Sequence, residues 1–251
     1  LLSMPLGMPA VDTLMLDAQD RLVKSGLFER VAVTLDPDPT QANSARILVQ
    51  VSEQPLQQVT LGAGYSPNTR ARASAEHIYR RVFGYAATAR NKVEWGQARQ
   101  AWDGELSTHP NEALQRWVTG VTIERLVSAK DTVLSQGLKF GRAQDSPRIT
   151  RFIFGEFDRS ARYTTGAGRY DSQAYSGNFH WSRRDLDSPL LPTQGTALAV
   201  QAAGGFGRDD DGDTGGFARL YGRLTMYQPI LTAWYLQARV EAGQILAPNL
   251  S

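Results

Sequence analysis

The stretch "RRDLDSPLLPTQG", Arg183 to Gly195, decides how the rest of the chain is read. It separates two runs of alternating residues, "QAYSGNFHWS" ahead of it and "TALAVQAAGGF" behind it. Its prolines, aspartates and closing glycine are turn residues. It also carries three leucines and an arginine pair, more than a plain solvent loop needs. Such a connector suits an interface where leucines and prolines pack and arginines meet phosphates or carboxylates. The plainer alternative is a well-capped hairpin turn of any β-protein.

Working outward, the alternation continues. Val59, Leu61, Ala63 and Tyr65 alternate with Thr60, Gly62, Gly64 and Ser66. Trp117, Thr119, Val121 and Ile123 oppose Val118, Gly120, Thr122 and Glu124, and Leu220, Leu224 and Met226 oppose Arg219, Tyr221 and Arg223. Trp234, Leu236, Ala238 and Val240 oppose Tyr235, Gln237, Arg239 and Glu241. Period two is the mark of strands with two unlike faces. Strands are predicted near 57–66, 70–81, 86–98, 100–108, 115–126, 131–142, 148–159, 173–183, 196–206, 217–227 and 233–244.

A soluble sandwich and a membrane barrel both use such strands. Length near the roughly 9–11 residues of a tilted spanning strand, aromatic residues near strand ends, and paired charges such as Arg239 and Glu241 on the polar faces favour the barrel. No apolar run reaches the roughly 18 residues of a spanning helix. The net charge of +2 and scattered basic residues give nucleic acid no footprint. The absence of cysteine excludes disulfides, thiolate metal sites and a cysteine nucleophile.

Residues 1–56 read differently. Val11, Leu14, Ala18 and Leu22 lie on one helical face, with Pro9 in the first turn and Lys24 and Gly26 at its end. "RVAVTLD" alternates Val31, Val33 and Leu35, and "ARILVQVSE" alternates Ile47, Val49 and Val51 after the loop "PDPTQANS". A helix–strand–strand unit of this size makes a marginal core and leans on neighbours. Its edge strand, Val31 to Leu35, suits an extended client or a partner protein; the equal alternative is a spacer and hinge.

"SGLFERVAVTLDPD", "ARILVQVSEQP" and "VTLGAGYS", together with "HWSRRDLDSPLLPTQG", resemble the BamA/TamA superfamily of outer-membrane assembly factors, closest to its TamA-like branch. The resemblance covers essentially the whole chain. It implies a mainly β fold: the N-terminal portion of an antiparallel transmembrane β-barrel at 57–251, about eleven of an expected sixteen strands, behind a small α/β POTRA-like periplasmic domain at 1–56. The chain then reads as a fragment stopping where the family's sixth external loop begins. Even-numbered turns become periplasmic and hold Pro110, Pro147, Pro189, Pro192 and Pro229, with longer loops outside.

The implied function is assembly or translocation of outer-membrane clients through a weak lateral seam, with no enzyme activity, cofactor or metal. The seam is the first strand, Val59, Leu61, Gly62, Gly64 and Tyr65; its glycines alternatively make room for bulky neighbours. The implied partners are unfolded outer-membrane clients, a TamB-like periplasmic protein, the lipid bilayer and lipopolysaccharide, without nucleic acid. The periplasmic turn is carried by Arg183, Arg184, Asp187, Pro189, Pro192 and Gly195. A two-partner secretion pore is the alternative, followed by a passive porin or outer-membrane phospholipase.

Three motifs carry candidate chemistry. Ser176, Asn178, His180 and Ser182 share a strand face, and a His–Ser pair two residues apart is within reach for nucleophilic catalysis. Phe179 and Trp181, however, direct that set to the lumen. "DDDGD", Asp209 to Asp213, lacks the glycine and glutamate spacing of a calcium loop and reads as an external loop. His77 beside Glu76 has no partner at metal spacing and reads as a surface or interfacial histidine.

Overall fold

The computed structural model describes residues 11–36, 46–67, 70–188, 191–210, 212–231 and 234–247. Pro9, the loop "PDPTQANS", Pro189 and Asp211 lie outside the described residues.

Helix α1 (Asp12–Lys24) ends where Ser25 Oγ donates to the Leu22 carbonyl at 2.6 Å and Gly26 takes φ +71°, the left-handed stop expected of glycine. Strands β1 (Phe28–Leu35) and β2 (Ile47–Glu53) follow as an antiparallel hairpin, with Val31 opposite Val51 and Val33 opposite Val49. The core of this unit is small. Ala18, Leu22, Ser25 and Val33 are buried, whereas Val11 and Leu14, assigned to the same helical face, are exposed. Two strands cannot cover four helical turns.

From Gln57 onward the chain forms one eleven-stranded antiparallel sheet in sequence order. Its strands are β3 (Gln57–Ser66), β4 (Arg70–Tyr79), β5 (Ala87–Gly96), β6 (Arg99–Thr108), β7 (Gln115–Val127) and β8 (Asp131–Asp145). They continue as β9 (Ile149–Thr164), β10 (Gly168–Leu186), β11 (Gly195–Asp209), β12 (Thr214–Leu231) and β13 (Trp234–Leu246). Each predicted strand has its counterpart, because alternation over ten or more residues leaves one period. Boundaries differ most in β9 to β12, where pairing extends past the alternating runs.

Residues directly opposite in an antiparallel pair point to the same side, so the register sorts the sheet into two faces. One row crosses Val59, His77, Asn91, Gly104, Val121, Leu138, Phe157, Tyr175, Phe206 and Gly216. The neighbouring row on the other face crosses Thr60, Glu76, Lys92, Asp103, Thr122, Gly137, Asp158, Ala174, Gly207 and Gly215. The first face is apolar and the second charged.

Each row starts near the first end of β3 and finishes near the opposite end of β12. That steady stagger is the shear of a tilted barrel wall.

Burial is inverted relative to a soluble protein. Ala101, Ser107, Val118 and Thr225, on the charged face, are buried, while Leu61 is 76% exposed, Phe206 72% and Val240 67% on the apolar face. A continuous exposed apolar face of this extent has no soluble rationale.

Two expectations about connections are corrected. Pro229 lies inside β12, at a register shift between Pro229 and Leu231, and not in a turn. A bulge is where a strand tolerates proline. The connections at the end opposite α1, 67–69, 97–98, 128–130, 165–167 and 210–213, are also short, and the longest connections, 80–86, 109–114 and 187–194, lie on the α1 side. Extra residues at the far end are paired into longer strands.

Candidate functional site

The α1 unit meets the sheet at one end. Arg21 Nη2 donates to the Glu112 carbonyl at 2.6 Å, and Lys24 Nζ donates to the Ser146 carbonyl at 2.9 Å with the Asp145 carboxylate at 3.7 Å. The last turn of α1 thus holds the β6–β7 and β8–β9 turns together. The connector into β3 is pinned by Arg80, whose Nη1 donates to the Pro55 carbonyl at 2.8 Å and Nη2 to Gln58 Oε1 at 3.2 Å. His109 Nε2 donates to the Arg80 carbonyl at 2.8 Å. The sequence marks Lys24 only as the cationic end of the helix and does not mark Arg80, because their partners lie in segments distant along the chain.

Strand β3 is one margin of the sheet. Among the described residues it pairs only with β4, and β13 pairs only with β12. Val59, Leu61 and Tyr65 project from the apolar face, 63%, 76% and 76% exposed. Gly62 and Gly64 lie on the charged face, where a Cβ would meet Ser74 Oγ at 2.6 Å and Arg72 Nε at 3.2 Å. Room for neighbours therefore accounts for both glycines within the fold. The edge carries unpaired backbone groups, a template for another strand.

The 187–194 turn is closed by one carboxylate. Thr193 Oγ1 donates to Asp187 Oδ2 at 2.6 Å, and the Thr193 N–H reaches Oδ1 at 3.0 Å. The Gln194 N–H donates to Oδ1 at 3.1 Å, while the Asp187 N–H donates to the Gln194 carbonyl at 3.1 Å. The Thr193 hydroxyl first, then the N–H groups of Gln194, Thr193 and Ser188, hold the Asp187 carboxyl down at about 2.

Gly195 has φ +119°, and a Cβ there would lie 2.1 Å from the Asp185 carbonyl. Arg183 pairs with Asp185 at 3.6 Å, and the Arg184 N–H donates to the Arg148 carbonyl at 2.8 Å. Of the expected turn residues Asp187 lies in the turn and Gly195 opens β11, whereas Arg183 and Arg184 are paired within β10, opposite Leu198 and Ala197 and on opposite faces, because strand pairing runs past the alternating stretch. Thr193, present in the quoted stretch, is the turn's unassigned closing member.

The expected edge residues of β1, Val31, Val33 and Leu35, split by depth. Val33 is buried against α1 and Leu35 is 38% exposed. Among the described residues β1 pairs only with β2 and has its second edge open.

The charged face is laced by ion pairs: Arg90 with Glu76 at 3.4 Å, Arg99 with Glu94 at 2.8 Å and with Glu124, Lys139 with Glu105 at 3.4 Å, and Arg239 with Glu241. On this face Asn178 Nδ2 donates to Ser176 Oγ at 2.9 Å and to Glu156 Oε2 at 3.4 Å, and the His180 ring meets the Phe154 ring edge-on at 5.4 Å. Ser176 and Asn178 thus form a polar cluster with Glu156 on the charged face, and His180 packs on an aromatic ring beside it. Asp209 caps its own turn, accepting the Asp213 N–H at 2.9 Å. His77 stands on the apolar face, its Nε2 3.2 Å from Gln57 Oε1.

The apolar face also carries a groove of about 720 Å³ lined by Phe140, Ile153, Phe179 and the glycine row Gly155, Gly177 and Gly204. At one end of it Arg142 stacks 5.8 Å over the Trp117 ring.

No family model matches the chain, and no curated protein matches it. Among solved structures it is similar to the crystal structure of BamA from Haemophilus ducreyi lacking POTRA domains 1–3, at TM-score 0.62 and 11% identity, over 94% of this chain and 50% of that one. The chain spans about half the length of that protein. At this identity the likeness is one of fold: the long antiparallel sheet has the form of a BamA-type barrel wall.

Proposed function

We propose that the protein is an outer-membrane assembly or translocation factor, with the charged face lining a lumen, the apolar face in lipid and the α1 unit a POTRA-like domain in the periplasm. The observation that carries this reading is the open β3 edge in a wall that is apolar outside and ion-paired inside. An unpaired edge within hydrocarbon leaves backbone groups unsatisfied. It is occupied either by a further strand of the barrel or, transiently, by a client strand adding through main-chain hydrogen bonds. Such bonds accept many client sequences. The TamA-like branch and a TamB-like partner are part of this proposal, and the mechanism involves no bond-making chemistry and no cofactor.

Placing a photo-cross-linking residue at Leu61 in the full-length protein tests it. Cross-links to unfolded outer-membrane clients during their assembly are the expected result. Cross-links confined to the protein's own strands under all client loads reject the seam. A protein that never migrates as a heat-modifiable species in detergent rejects the membrane barrel itself.

A further inference from the structure

Arg90, Arg99, Lys139 and Arg239 hold carboxylates on the charged face, whereas at the α1-distal end of the apolar face cationic residues stand among apolar neighbours. There Gln136, Arg159, Gln173 and Arg208 lie directly opposite one another on four consecutive strands. Arg125 stands one step further on β7, on the same face. Immediately below runs the row Leu138, Phe157, Tyr175 and Phe206, with the Phe157 and Tyr175 rings 4.8 Å apart.

Among the described residues Arg125 and Arg208 make no ion pair. The nearest carboxylate to Arg159 is Asp171 at 3.9 Å, and Arg169 already holds Asp171 at 2.6 Å. Gln136, Gln173, Arg125 and Arg208 are all exposed.

We infer that this row is a binding site for a diphosphorylated glycolipid headgroup of the external leaflet, resting on the membrane orientation proposed above. An uncompensated guanidinium on a lipid-facing surface is costly near the bilayer centre and tolerated at its interface. There it is matched by phosphate, which its planar fork binds with two hydrogen bonds. Arg159 and Arg208 are two strands apart, about 10 Å, so one phosphate cannot satisfy both by direct contact. A sugar scaffold phosphorylated at two positions can. Gln173, between them, offers amide donors and an acceptor to sugar hydroxyls. The aromatic row and the groove beneath it receive the acyl chains.

The test uses the full-length protein in nanodiscs, with diphosphoryl and monophosphoryl lipid A as probes and phosphatidylglycerol as competitor. Diphosphoryl lipid A is expected to bind tightest, and monophosphoryl lipid A about fivefold more weakly, as for the loss of one arginine–anion attraction. In the R159Q/R208Q double variant the two probes become equal, while R151Q, on the same face at the α1 end and outside the groove, leaves the preference intact.

Unchanged discrimination in the double variant overturns the site, as does equal displacement by phosphatidylglycerol. Heat-modifiable migration of each variant separates these outcomes from misfolding. Absence of that migration in the parent rejects the membrane reading instead.

Discussion

The Thr193 hydroxyl donates to the Asp187 carboxylate at 2.6 Å across the turn between β10 and β11. Six residues apart, the two close a loop whose flanking strands pair from Leu186 and Gly195 onward. The contact makes one carboxylate the shared acceptor for a hydroxyl and several N–H groups.

Acid should open this turn at an unusually low pH. Asp187 has a folded value of about 2 against an ordinary 3.8, so its stabilisation is present above pH 3.8 and lost as pH falls through about 2. Proteolysis of the turn by an acid-stable protease, followed against pH, should show protection down to that range. Thr193→Val removes the largest cause of the shift and should move the loss of protection up toward 3.8.

Gly195 and Gly177 should respond oppositely to alanine. At Gly195 the methyl group meets the Asp185 carbonyl at 2.1 Å with φ at +119°, and the cost should be about 1–3 kcal/mol or more. At Gly177 the nearest atom to a new Cβ is the Gly204 carbonyl at 4.0 Å, so Gly177→Ala should stay within about 0.5 kcal/mol of the parent. Urea titration of the barrel's heat-modifiable band compares the two.

Lys24 and Arg21 should control how firmly the α1 unit is held. Replacing both with alanine removes the contacts to Ser146, Asp145 and Glu112. The Lys24–Asp145 ion pair contributes about 0.2–1 kcal/mol, and the two charged-donor hydrogen bonds to backbone carbonyls about 1.5–3 kcal/mol each. The expected result is faster hydrogen exchange in α1 and at 54–56, with strand exchange unchanged.

Face assignment can be checked on a chain that has no cysteine of its own. In vesicles, His180→Cys should react with a water-soluble maleimide and Phe179→Cys should not. Reaction of both, or the reverse order, would break the assignment of the charged face to water.

Much of this was legible beforehand, for a local reason. A strand in a two-faced wall must alternate, so Leu220, Leu224 and Met226 against Arg219, Tyr221 and Arg223 locate β12 and both its faces without a partner strand. The same argument places His180 opposite in face to Phe179 and Trp181. Pro229 misled because proline usually ends a strand, and the bulge that accommodates it depends on register with β13. The glycines of β3 were ambiguous because Ser74 and Arg72, which fill the space, come from another strand.

The sequence by itself determined the period, the number of strands through the sheet and which residues share a face, since these depend on neighbours two positions apart. Only the tertiary structure decided the stagger of the rows, the alignment of Arg159 with Arg208 and the grip of Lys24 on Ser146. Those relationships join residues up to 122 positions apart. They are set by strand pairing and by backbone carbonyls, whose positions no side-chain pattern encodes.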